Sequence, residues 1–135
     1  MIGLDTNVLA RYLAQDDVHQ SAAATRLIEK ELSHGNPGFV SLVVLAELCW
    51  VLASLYGASN EELVTTLGDL LLMPRFRVER RDVVHAAIRQ FKGVNGRKAG
   101  LTELRIAQIA ANQGCTHTVS FDKGAVRHAG MTLLA

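Results

Sequence analysis

Along this chain short apolar runs alternate between the period of a strand and that of a helix, and a polar cap or a glycine closes most of them. Met1–Asp5 reads as a short apolar strand ending at an acid. Thr6–Ala14 continues as a helix, with Val8, Leu9, Tyr12 and Leu13 on one face and Asp5 as its N-cap. Asp16 or Asp17 caps a longer helix through about Leu32, which His34-Gly35-Asn36-Pro37 ends. Gly38–Leu42 is the second strand. Val43–Tyr56 is a strongly apolar helix stopped at Gly57, and Ser59-Asn60-Glu61-Glu62 opens another that reaches Met73 before Pro74. Phe76–Glu79 reads as a strand, Asp82–Phe91 as a helix, and Lys92–Gly100 as a loop. Thr102–Gln113 is predicted helical, with Gly114 at its end. Thr118–Phe121 and Met131–Leu134 are the last strands, with a short helix between them.

Strands that alternate with helices predict an α/β fold with a mainly parallel sheet. At 135 residues a single domain over 1–135 is expected, with enough chain to bury a core. In such folds ligands gather outside the carboxyl ends of the strands. Asp5 and Asp122 fall just past predicted strands, and Glu47 and Glu103 fall in early turns of predicted helices.

These four acids interrupt or border the most apolar segments of the chain. A carboxylate moved unpaired into low dielectric costs several kcal/mol, so partners are expected for them: donors, cations or a metal. Three of them also have a plainer explanation. Asp5 and Asp122 can be N-caps, and Glu103 in a first turn complements a helix dipole. Glu47 differs, because no basic residue lies within four positions of it. Four oxygen donors without a His/Cys cluster suit a hard cation, Mg²⁺ or Mn²⁺. The five histidines lack zinc-ligand spacing.

Composition adds bounds. The 49% hydrophobic and 20% charged content is that of an ordinary globular protein, with no apolar run long enough to span a bilayer. The first residues lack a basic leader and meet Asp5 at once, so no secretory signal is expected and the cytoplasm is the expected compartment. Cys49 and Cys115 both stand in apolar surroundings and read as reduced core residues. Trp50 reads as core, and so do Tyr12, Leu13 and Leu52–Tyr56, for which an interface is the other reading.

The net charge of +1 conceals an asymmetry: residues 1–74 carry three Lys/Arg and nine Asp/Glu, residues 75–135 eleven and four. The basic stretch includes Arg75, Arg77, Arg80, Arg81, Arg89, Lys92, Arg97 and Lys98. It suits either a solvated face or a nucleic-acid backbone. Aromatic content of 5% argues against a base-stacking platform.

Three stretches together are recognisable: Met-Ile-Gly-Leu-Asp5-Thr6-Asn7-Val8-Leu9, then Ser41-Leu-Val-Val-Leu-Ala-Glu47-Leu, then Thr118-Val-Ser120-Phe-Asp122-Lys123. In this order they resemble the PIN-domain ribonucleases, and most of all the VapC-type toxins of toxin–antitoxin pairs. The resemblance runs over essentially the full length. It implies a three-layer α/β/α sandwich with a short, mainly parallel central sheet. It implies Asp5, Glu47, a third acid and Asp122 around Mg²⁺ or Mn²⁺, Thr6 and Asn7 supporting Asp5, and Ser120 where the family often has threonine. A small antitoxin covering the site and a homodimer are further implications.

The chain departs from the family at the third acid. Counting back from Gly114-Cys115, Gly100 stands where one family aspartate is found and Glu103 where the metal-facing aspartate is found. Three functional readings follow. The first is a metal-dependent endoribonuclease in which the acids hold the ion and the basic residues guide RNA. The second is a PIN-like domain with impaired chemistry that binds protein partners, motivated by Gly100 and Glu103. The third is a phosphotransfer domain with an acid after its first strand. The haloacid-dehalogenase version of the third expects another aspartate two residues on, where this chain has Asn7.

Overall fold

The computed structural model describes residues 1–93, 110–111 and 113–134, in two compact units, residues 1–80 and 81–135. The first unit is built on three parallel strands, β1 (Ile2–Gly3), β2 (Gly38–Val40) and β3 (Phe76–Val78), in the order β1-β2-β3. Gly3 is opposite Phe39 and Val40 opposite Val78. The ladder continues past these pairs, with the Leu4 amide donating to the Phe39 carbonyl at 3.0 Å and the Glu79 amide to the Val40 carbonyl at 2.9 Å. Extending that register by one or two residues brings Asp5, Ser41 and Glu79 to one edge, the carboxyl end of the sheet.

Caps determine where the helices begin. Asp5 precedes α1 (Thr6–Ala14) and accepts from the Thr6 amide. Of the two candidate caps before α2 (Val18–Arg26), Asp17 is the one used, accepting from the Gln20 amide. The helix then widens into a π turn over Leu27–Glu31, in which the Leu32 amide reaches the Leu27 carbonyl at 2.9 Å. The Ile28 carbonyl takes a guanidinium hydrogen bond from Arg75 at 3.2 Å. The predicted second strand ends early, at Val40, because the Ser41 hydroxyl accepts from the Val44 amide and so starts α3 (Leu42–Tyr56). Gly57 closes α3 at φ 66°, a conformation that suits glycine. A full capping box between Ser59 and Glu62 opens α4 (Asn60–Leu72).

The core of this unit is aliphatic. Leu9, Ile28, Val40, Leu45, Leu48, Leu67 and Leu70 are fully or almost fully buried. Gly38 sits where a side chain would strike Leu4 and Leu32, which lets the first two strands and the end of the π turn close together. The core reading fails for part of α3. Trp50 is 64% exposed and Leu55 69%, and Val43 and Tyr56 are exposed as well. A helix apolar on nearly every side has more apolar surface than one core can cover, and here Leu45, Leu48, Cys49 and Leu52 take the buried side. Leu13 is also exposed.

In the second unit α5 spans Arg81–Gly93, longer at both ends than predicted, and buries Val83, Val84, Ala87 and Ile88. Ala110 and Ala111 are helical, and Gly114 has φ 96°, which suits the helix-ending role expected of it. Cys115 is exposed, contrary to the core reading, because it lies in the turn after Gly114 rather than on a packed face; Cys49 is buried, and neither forms a disulfide. A parallel crossover completes the unit: β4 (Val119–Ser120), α6 (Lys123–Ala129) and β5 (Thr132–Leu133), with Val119 opposite Thr132. The expected α/β class with short parallel strands holds.

Candidate active site

The two acids predicted in the first unit meet through a single residue. Thr6 is the first residue of α1, and its side chain is 5% exposed. Its amide donates to Asp5 Oδ1 at 2.8 Å, and its hydroxyl donates to Glu47 Oε1 at 3.1 Å. Asp5 stands just past β1, and Glu47 lies on the second turn of α3. Both are exposed, so the buried-carboxylate premise is corrected: apolar neighbours in sequence do not bury these acids, because each points from the end of a strand or the open side of a helix. No described cation pairs with either acid.

Each carboxylate spends one oxygen on Thr6, and its other oxygen has no hydrogen-bond partner among the described residues. Two neighbouring acids with free oxygens and no neutralising cation repel each other, and a divalent cation relieves that repulsion. Hard oxygen donors are what Mg²⁺ or Mn²⁺ takes, so the donor chemistry of Asp5 and Glu47 fits such an ion. Among the described residues no set of three or more His, Cys, Asp or Glu side chains gathers in metal-binding geometry.

Asp122, in the second unit, follows β4 and caps α6, accepting from the Gly124 amide at 2.8 Å. The Ser120 hydroxyl accepts from the Asp122 amide at 3.0 Å, so Ser120 fixes the backbone on which Asp122 sits. Asp122 too is exposed. Glu103, Gly100, Arg97 and Lys98 lie outside the described residues.

The other basic residues differ from one another. Arg75 is half-buried and gives a hydrogen bond to the Ile28 carbonyl, whereas Arg77 is exposed on β3. Arg80 and Arg81 are exposed, and each makes an interaction within the chain. Asn7 is exposed one residue beyond Thr6.

One acid was overlooked in the sequence. Glu79, at the carboxyl end of β3, accepts from the Leu42 amide at 2.9 Å and thereby helps orient the start of the helix that carries Glu47. Its signal was its place at the end of a strand, the same cue that singled out Asp5.

The PIN domain family matches the chain over residues 2–131, and the chain belongs to that family. No curated protein and no solved structure matches it. PIN domains are generally nucleases and typically use divalent metal ions, so the nuclease class and the short parallel sheet belong together here. No helix among the described residues is long and apolar enough to cross a membrane.

Proposed function

We propose that this protein is a Mg²⁺- or Mn²⁺-dependent endoribonuclease, the toxin of a toxin–antitoxin pair. The observation that carries the reading is the Thr6 bridge, which holds Asp5 and Glu47 together at the carboxyl edge of β1 with no neutralising cation among the described residues. Asp5 and Glu47 would hold the ion, with Glu103 and Asp122 as the further ligands that the resemblance to VapC-type toxins suggests. When bound, a hard divalent ion stabilises the charge that builds on a phosphodiester and activates water near neutral pH.

The protein's own part is positioning. Thr6 fixes two carboxylates by one side chain and its amide, and a carboxylate oxygen not engaged with Thr6 can accept a proton from the attacking water. Ser120 holds Asp122. Arg77, Arg80 and Arg81, with Arg97 and Lys98, supply positive charge for the RNA backbone, and Arg75 contributes less because one N–H serves Ile28. The reading treats residues 1–135 as one PIN domain acting in the cytoplasm. RNA is its substrate, an antitoxin its partner and a second copy its mate. Glu103 and Gly100 favour one competing reading, a PIN domain with impaired chemistry that works by binding proteins.

Calorimetric titration of Mn²⁺ into metal-free protein separates the two. The expected outcome is binding that Asp5→Asn abolishes and Glu103→Asp strengthens or preserves. Absence of binding into the millimolar range, in the wild type and in Glu103→Asp alike, would overturn the nuclease reading in favour of the binding module.

A further inference from the structure

From Asn7, the residue after Thr6, α1 borders with α2 and Leu27 a cleft of about 340 Å³. That falls within the ~300–1,000 Å³ usual for small-molecule sites. Val8, Ala23 and Leu27 give it apolar walls, and Asn7, Arg11 and Gln20 give it polar groups. Asn7 and Arg11 are one helical turn apart and share a face of α1.

The polar groups are not equivalent. Arg11 is already committed: its Nε donates to Gln20 Oε1 at 2.8 Å, and its Nη1 donates to both oxygens of Asp16 at 3.0 and 3.1 Å. Its charge is matched by Asp16, which disfavours a phosphate or another anion as the ligand. Among the described residues neither the Gln20 Nε2 group nor the Asn7 carboxamide has a partner; the first can donate, and the second can both donate and accept. The cleft therefore presents aliphatic surfaces, neutral amide donors and an amide acceptor. A nucleobase has the complementary chemistry: a flat apolar face, and an edge of alternating donors and acceptors that carboxamides read in pairs. A segment of protein would use the aliphatic walls but has less use for two carboxamides set around so small a space.

We propose that this cleft is a nucleobase subsite, seating one unstacked RNA base next to the phosphodiester that reaches Asp5 and Glu47. The proposal rests on the nuclease reading for its substrate class and goes beyond it by naming where base preference resides.

The test needs neither metal nor cleavage, so its failure is distinct from failure of the metal site. The four ribonucleoside 5′-monophosphates, and ribose 5-phosphate as the baseless control, are titrated into the ¹⁵N-labelled full chain while amide resonances are followed. The expected result is a saturable shift of the Asn7 and Gln20 side-chain amides and the Ala23 backbone amide, larger for one base than for the others. Ala23→Leu, which fills the cleft, weakens that binding by about tenfold or more. Ala22→Leu, on the same helix but outside the cleft lining, preserves it. Equal shifts with ribose 5-phosphate overturn the proposal, as does loss of binding in Ala22→Leu. No shift with any nucleotide also overturns it and leaves a protein segment as the cleft's occupant.

Discussion

The Thr6 hydroxyl donates to Glu47 Oε1 at 3.1 Å, joining the first residue of α1 to the second turn of α3. Because the Thr6 amide also holds Asp5, removing one hydroxyl frees Glu47 while leaving Asp5 in place. Residues that orient metal ligands typically govern affinity by about 10- to 100-fold. Thr6→Val is therefore expected to weaken Mn²⁺ binding by about that factor and to cost ~1 kcal/mol of stability for the lost hydrogen bond. Thr6→Ser, which keeps the hydroxyl, is expected to stay close to wild type in calorimetry. Equal Mn²⁺ affinity in Thr6→Val and wild type would remove the positioning role.

Gly38 occupies a place that no side chain fits. A Cβ there would lie 2.7 Å from Leu4 Cδ1 and 2.8 Å from Leu32 Cδ1, and both leucines are buried. Gly38→Ala is expected to lower stability by ~1–3 kcal/mol through overpacking, read as an earlier midpoint in urea with an unchanged slope. Leu32→Ala in the same background should recover part of that loss by making room; a double variant no better than the sum of the two singles would contradict the clash.

Local chemistry carried the helix starts: Asp5, Asp17, Ser59 and Asp122 all cap where a small polar residue preceded an apolar period. Long-range relations were not legible. Nothing in the apolar run around Glu47 says which side of α3 faces the core, since Val43, Trp50 and Leu55 are exposed and Leu45, Leu48 and Leu52 buried. The same ambiguity made Glu47 read as a buried charge. Its bond to Thr6 crosses 41 positions, and neither residue type announces it. Glu79 escaped notice for a related reason, because its amide partner lies 37 positions away at the start of α3. Arg75 looked like one more member of a basic run until its partner, a carbonyl within a π turn, was in view.

Arg75 and Arg77 thus give opposite expectations. Arg75→Ala removes a donor from the Ile28 carbonyl and is expected to cost ~1 kcal/mol of stability. Arg77→Ala, exposed on β3, is expected to leave stability within about 0.5 kcal/mol and to lower the salt slope of RNA binding by about 0.7. Denaturant curves and binding measured across a salt series check the pair. A reversed pattern would mean that Arg75 is the RNA contact.

Asp16 joins two elements through opposite kinds of partner. The Tyr56 hydroxyl donates to Asp16 Oδ2 at 2.5 Å, and Arg11 pairs with the same carboxylate. The Tyr56 hydrogen bond is the largest single cause that holds the Asp16 carboxyl below its ordinary range, with Arg11 acting in the same direction, and the same bond holds the Tyr56 hydroxyl above its own. For a depressed acid the stabilisation is present above its ordinary pKa, near ~3.9, and is lost as pH falls through the lower folded value. For the raised phenol it is present below ~10 and is lost as pH rises through the higher folded value. The tie between the α1–α2 loop and the end of α3 therefore persists across neutral pH and loosens in strong acid and strong base. Tyr56→Phe should move the Asp16 titration back toward that of an ordinary aspartate, followed by ¹³C carboxyl shifts. Thermal midpoints of wild type and variant should converge in acid and differ most near neutrality. An Asp16 titration unchanged in Tyr56→Phe would place the cause of its shift in Arg11 instead.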